Sequence, residues 1–267
     1  MPAPTLSRVY VSLRVRLPQP WSRLLGQLAY LPQLARGHQE THMAFAEERL
    51  IEQLLAGDGP LERIGQGLSE RVVEVPWVVR SLPRAPSRVL DVGTAFAPVV
   101  YKRVLARQPQ TVEVVDLAEA SIPGLRSHVA DIRSLPFADG EFGAATCIST
   151  LEHIGMENTH YNIESGGRGD VDALRELGRV ARRILVTVPA GSDQNLGWLR
   201  QYSPSTFRLR VREAGLEAMR LEVFAHEQET GWQRASEDTI GDRHFGHGVY
   251  AAAAVICAEL AKRDSGS

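Results

Sequence analysis

Cysteine is nearly absent from this chain: Cys147 and Cys257 are the only two in 267 residues. Both fall inside apolar runs, GAATCIS and AVICAEL. That excludes a disulfide scaffold and leads us to expect reduced core thiols in the cytoplasm, a reducing compartment. Long apolar runs are missing too. None reaches the ~18 residues of a membrane-crossing helix, and the alanine-rich tract from Val249 to Leu260 reads as a buried strand. Neither sign of charge dominates: 30 Lys and Arg against 32 Asp and Glu leave a net charge of −2. With only 6% aromatic residues, no basic groove with interleaved aromatics stands out, so a nucleic-acid partner is not expected. What is present, 43% hydrophobic and 23% charged residues, belongs to a globular protein with one α/β domain and an extension.

Acids are missing from the first 39 residues, which carry Arg8, Arg14, Arg16, Arg23 and Arg36. Such a segment suits an arm packed on its own or a neighbouring subunit, a route to a homo-oligomer. An organelle transit sequence or a membrane-surface helix is the alternative. Pro18, Pro20 and Pro32 interrupt any long amphipathic helix, which favours the arm. From Thr41 the apolar spacing of Met43, Ala46, Leu50, Ile51, Leu54 and Leu55 predicts a helix that Gly57 stops. Ser69 to Leu82 predicts a second helix, bent or restarted at Pro76. The division expected is 1–69 as arm and helical extension and 70–267 as the α/β domain.

Within that domain, apolar strands near 88–92, 111–116, 128–131, 143–149 and 183–188 alternate with helices near 97–107 and 170–182. Near-continuous apolar strands between helices indicate a parallel sheet covered on both faces. Ser203 is placed to cap a helix through Ala214, ended by Gly215. Strands at 217–224 and near 249–257 bring the number to seven.

The stretch RVLDVGTAFAPVV, from Arg88 to Val100, runs a strand into a tight turn and a helix start, the way α/β folds build a nucleotide site. Asp91 and Gly93 mark the turn, while Ala95 and Ala97 stand where a glycine-rich turn would continue. Alanine still lets a ligand approach the backbone but resists positive φ, and a pyrophosphate-binding turn needs glycine. Asp116 ends the second strand, where a carboxylate can accept both hydroxyls of a ribose. Asp131 ends the third, and the fourth, GAATCIS, opens into Thr150, Leu151, Glu152 and His153.

This ordered set, above all DIRSLPFADGEFGAATCISTLEHI (residues 131–154), resembles the class I S-adenosylmethionine-dependent methyltransferases. The resemblance covers roughly residues 70–258 and departs from the family at Ala95 and Ala97. It implies a Rossmann-like, doubly wound seven-stranded sheet whose last strand is inserted antiparallel beside the fifth. It implies S-adenosylmethionine as cofactor, held by Arg71, Asp91, Gly93, Thr94, Asp116, Leu117, Asp131, Ile132, Ser149 and Thr150. Arg71 would cover the methionine end, and Asp131 with Ile132 would meet the adenine. The acceptor implied is a small molecule, sugar or natural product methylated on oxygen or, second, on nitrogen. A non-catalytic partner subunit and an NAD(P)-dependent oxidoreductase are the rivals.

His153, a histidine that titrates near neutrality at the mouth of such a site, is a candidate general base, against a role in holding the helix start or the cofactor. His160 and Tyr161, in the polar, glycine-rich stretch 155–169, are candidate acceptor contacts. His226, His244 and His247 invite a metal reading, but no tight spacing of the His-Glu-x-x-His kind supports one, and no metal is expected.

Overall fold

The computed structural model describes residues 16–18, 21, 24–25, 39–85, 87–157, 168–246 and 252–263. Helix α1 (Gln39–Leu55) lies against α2 (Arg71–Ser81). Pro76 sits inside α2, which continues past it and buries Val72 through Val78. Strand β1 (Arg88–Val92) leads into α3 (Val99–Ala106) and then β2 (Thr111–Asp116). Arg103 of α3 is buried between Glu48 and Glu52 of α1, with Glu48 at 2.7 Å. A guanidinium out of water needs such partners, and here they tie α1 to the domain.

Strands β3 (Arg126–Val129) and β4 (Ala144–Ile148), helix α4 (Gly169–Val180) and strand β5 (Ile184–Pro189) complete the parallel part. A small ribbon, β6 (Gln194–Asn195) and β7 (Arg200–Gln201), precedes α5 (Pro204–Glu213). Ser203 caps α5 as its sequence requires, its hydroxyl accepting from Thr206 N–H at 3.2 Å. Gly215 leaves the helix at φ +78°. A hairpin of β8 (Leu216–Glu227) and β9 (Gly231–Ala235) and a final strand β10 (Ala254–Lys262) close the domain.

The main sheet runs β3-β2-β1-β4-β5-β10-β8-β9, with β1 to β5 parallel and β10 antiparallel to both β5 and β8. Because successive strand residues point to opposite faces, Leu90 and Val92 pack with α4 and α5, while Val89, Val112 and Val114 pack with α1, α2 and α3. The strand order reverses between β1 and β4. A crevice opens at such a switch point beyond the strands' carboxyl ends.

Three expectations shift. The sheet has eight strands, because β9 pairs with β8 as a polar edge strand that an apolar pattern does not flag. The third strand ends at Val129, two residues before Asp131, its register fixed by Asp116 against Val129. The last strand begins at Ala254 rather than near 249, paired with Ala225 of β8. Among the described residues no helix is long and apolar enough to cross a membrane. Cys147 and Cys257 are free, buried thiols in β4 and β10.

Candidate active site

The turn after β1 is built around a buried acid. Asp91 accepts hydrogen bonds from Thr94 Oγ1 at 2.5 Å, Thr146 Oγ1 at 2.5 Å and the Tyr101 hydroxyl. Burial pushes its carboxyl up to about 6, and the three hydroxyls pull it back down. Gly93 then turns at φ +81°, and a Cβ there would lie 2.1 Å from Thr150 Oγ1. Only glycine satisfies both the dihedral and the contact. The loop closes on the tip of β2: Ala95 N–H donates to Asp116 Oδ2 at 2.8 Å and Ala118 N–H to Oδ1 at 3.4 Å.

Over this turn lies a cavity of about 660 Å³, lined by residues that include Gly93, Phe96, Asp116, Leu117, Asp131, Ile132, Arg133, Ser149, Thr150, His153, Trp198 and Arg71. Asp116 presents its carboxylate to the cavity from the β2 tip. Asp131 is gripped by Arg133, whose Nη2 stands 2.6 Å and Nε 3.0 Å away. That pairing holds the Asp131 carboxyl below the usual range.

The opposite wall comes from α2, the tip of β4 and the short 3-10 turn Leu151–His153. Glu74, fully buried, accepts from Arg71 Nη1 at 2.7 Å and from Ser149 Oγ at 2.7 Å. Ser149 sits at φ +40°, a left-handed conformation rare outside glycine. Its bonds to Glu74 and to Thr187 O (3.1 Å) hold it there. Glu152 is buried with no hydrogen-bond partner on Oε2. Burial pushes its carboxyl up to about 8, with Glu74 and Glu70 adding to the rise and Arg71 opposing it.

His153 Nδ1 lies 2.9 Å from the carbonyl oxygen of Trp198. A carbonyl only accepts, so Nδ1 carries the hydrogen and Nε2 is the basic nitrogen of the neutral ring. Burial lowers the imidazole pKa from its usual value, with the Trp198 carbonyl pulling the other way. The indole of Trp198 stacks on the imidazole at 5.5 Å between centroids and 26° between planes. Trp198 sits in the turn joining β6 to β7, anchored by Glu157 N–H to Gly197 O at 3.0 Å.

The cavity gathers Arg71, Gly93, Asp116, Leu117, Asp131, Ile132, Ser149, Thr150 and His153. Asp91 and Thr94 do not line it. They stand behind the wall because the three hydroxyls turn the Asp91 carboxylate inward, where it shapes the turn. His160 and Tyr161 lie outside the described residues. Sequence reading missed Phe96, Arg133 and Trp198. For Trp198 the only signal is the polar, glycine-bearing stretch GSDQNLGW after the fifth strand.

No family model matches the chain, and no curated protein matches it. Solved structures do match in fold. SpnF, a [4+2]-cyclase, is 15% identical and covers 80% of this chain and 92% of its own, with a TM-score of 0.50. The 1,6-didemethyltoxoflavin-N1-methyltransferase of Burkholderia thailandensis, with bound 1,6-didemethyltoxoflavin and S-adenosylhomocysteine, is 13% identical; the match spans 93% of this chain and 91% of that one, at a TM-score of 0.47. A SAM-dependent methyltransferase of Methanosarcina mazei is 13% identical over 69% of this chain and 96% of that one, at a TM-score of 0.46. What this chain has in common with them is the α/β fold with a mostly parallel sheet.

Proposed function

We propose that the chain is an S-adenosylmethionine-dependent methyltransferase that acts on a hydroxyl of a small molecule, sugar or natural product in the cytoplasm. In this reading residues 70–267 form the catalytic domain, and 1–69 form the arm and helical extension. Fold alone does not select this chemistry, since one fold hosts many reactions. The observation that carries it is the charge of the cavity wall. Arg71 is bound to Glu74 behind the wall, with Glu70 and Glu152 near it; Arg133 is bound to Asp131, and Asp116 stands at the β2 tip. Both arginines of the lining are thus already paired with carboxylates, which suits a cationic ligand and ill suits a pyrophosphate. The same wall counts against a nicotinamide dinucleotide.

When bound, the cofactor supplies a methyl group on a sulfonium. Asp116 accepts the ribose hydroxyls, Asp131 and Ile132 meet the adenine, and Arg71 pairs with the methionine carboxylate through donors that Glu74 does not use. Gly93 and Thr150 set the floor of the crevice. His153 takes the acceptor's proton on Nε2, because its tautomer leaves that nitrogen basic. Positioning and exclusion of water supply most of the remaining acceleration.

Thermal unfolding tests the reading. S-adenosylmethionine and S-adenosylhomocysteine should each raise the melting temperature and NAD should not, since only a ligand of the native state stabilises it. Stabilisation by NAD alone would replace the reading with an oxidoreductase. Stabilisation by the adenosyl ligands, with no methyl transfer to any acceptor, would favour a non-catalytic partner subunit.

A further inference from the structure

Resting on that reading, the wall around Arg71 has a second consequence. S-adenosylmethionine and its product, S-adenosylhomocysteine, share an adenosine, an ammonium and a carboxylate, and differ by the methyl group and one positive charge on sulfur. A site that tells them apart must respond to that charge. We propose that Glu152, assisted by Glu70, is a specificity-determining residue that discriminates the sulfonium cofactor from the thioether product by giving up its proton when the cation is present.

The geometry supports it at several points. Glu152 is 3% exposed, immediately follows Leu151 at the tip of β4, and leaves Oε2 without a hydrogen bond. It does not line the cavity, so it acts through the field rather than by contact. Arg71, which does line the cavity, feels Glu74, Glu70 and Glu152 together. Glu74 is committed to Arg71 and Ser149. One guanidinium cannot balance three buried or half-buried carboxylates, so protons make up the difference. Burial pushes Glu70 up to about 7 and Glu152 up to about 8.

The 3-10 turn that carries Glu152 packs against α4 and β7, whose Asp170 and Arg200 form an ion pair at 2.6 Å, and further groups face the cluster from α1, β4 and β10. From α1, Glu47 accepts from Ser69 N–H at 2.7 Å and adds negative charge beside Glu70. From the β4 tip, His153 Nε2 stands 4.0 Å from Glu152 Oε1, and Cys147 is a buried, neutral thiol. Tyr202, beyond β7, and Cys257 of β10 are buried and stay neutral. Their neutrality leaves Glu152 and Glu70 as the carboxyls of this cluster that exchange a proton near pH 7, with His153 as the neighbouring base. A sulfonium arriving in the cavity favours their ionised forms, and transfer of the methyl to the acceptor removes that charge. The carboxyl then takes its proton back, and the product loses the electrostatic hold that its precursor had.

Calorimetric titration of the full chain, without acceptor, tests this in buffers of different ionisation enthalpy. At pH 7.5 S-adenosylmethionine should release about half a proton more per molecule bound than S-adenosylhomocysteine, by the linkage between bound charge and bound protons. Between pH 6.5 and 8.5 the ratio of the two affinities should rise in favour of S-adenosylmethionine by about fivefold. Glu152→Gln should abolish most of the excess release and flatten the ratio while both ligands still bind. Should that variant fail to fold, Glu70→Gln should remove a smaller part. Equal proton release by the two ligands in the wild type, or an unchanged ratio in Glu152→Gln, would overturn the inference and leave the cofactor reading standing. Binding of neither ligand would sink both.

Discussion

The two walls of the cavity are made by different means. The strand-tip wall comes from β1, β2 and the loop after β3, where Gly93, Asp116 and Asp131 follow one another in chain order at the ends of paired strands. The facing wall comes from α2, the 3-10 turn and the β6–β7 ribbon, elements spread from Arg71 to Trp198. Parallel pairing brings the first wall together, with side-chain bonds at Asp91 and Asp116 closing its turn, whereas the second depends on individual side-chain bonds between distant elements: Glu74 to Ser149, and His153 to the Trp198 carbonyl. On the proposed reading the first wall carries recognition of the adenosine and the second carries the methionine end, charge balance and proton transfer, and substitutions should separate the two.

The largest separation should come from His153→Ala. Loss of a general base typically costs about 10²-fold or more in turnover. The strand-tip wall is untouched, so the affinity for S-adenosylhomocysteine should stay within about twofold. Steady-state turnover paired with calorimetric affinity reads the split. Equal loss in both would place His153 on the cofactor and void the base role.

Asp116→Ala should do the reverse. Two hydrogen bonds to a charged acceptor are each worth about 1.5–3 kcal/mol, so cofactor affinity should fall by about a hundredfold or more. The variant also orphans Ala95 N–H, so the apo melting temperature is expected to drop slightly. Asp116→Asn separates the two effects, because its amide oxygen still accepts from Ala95. Undiminished cofactor binding in both variants would refute the ribose assignment.

Gly93→Ala tests whether the first wall is as rigid as its pairing suggests. A Cβ at φ +81°, 2.1 Å from Thr150 Oγ1, should cost about 2–4 kcal/mol of stability, from backbone strain together with overpacking. Denaturant unfolding measures it. Adding Thr150→Ser to Gly93→Ala removes Cγ2 but keeps Oγ1, so it should recover only part of the loss. Thr150→Ala, which removes both atoms, should recover more. Full stability in the single variant would mean that the turn adapts.

How much of this was legible follows the same division. Strand 111–116 and the Ser203-capped helix ended by Gly215 stand where the sequence puts them, because an apolar run and a cap-and-stop pair are local signals. Asp116 and Gly93 were legible as positions in that local grammar. The inward turn of Asp91 was not, since Thr94, Tyr101 and Thr146 surround it only after β1 and β4 pair. For Glu74, one helical turn from Arg71, the spacing suits a solvated charge pair and a place beside the cofactor equally, and only the fold buries it against Ser149. β9 and the ribbon were invisible because short polar strands carry no period that distinguishes them from loop.

The smallest effect should fall on Trp198, and it bears on how the second wall sets its proton chemistry. The bond to His153 comes from the backbone carbonyl, so Trp198→Ala keeps the tautomer and removes only the stacked indole. Burial holds the imidazole pKa below its usual value, so the neutral, basic form persists to lower pH than in a free histidine. Uncovering the ring weakens that effect and raises the pKa toward about 6.5. The acid limb of the turnover profile, which rises as His153 loses its proton, should therefore move to higher pH. Turnover should drop several-fold near pH 6 and remain nearly unchanged at pH 8. Trp198→Phe, which keeps an aromatic cover, should restore most of the wild-type limb. NMR titration of the His153 ring nitrogens reads the same shift without any acceptor, with Nδ1 protonated throughout. A limb that does not move in Trp198→Ala would assign the low pKa to the rest of the cavity wall and leave the indole a packing role alone.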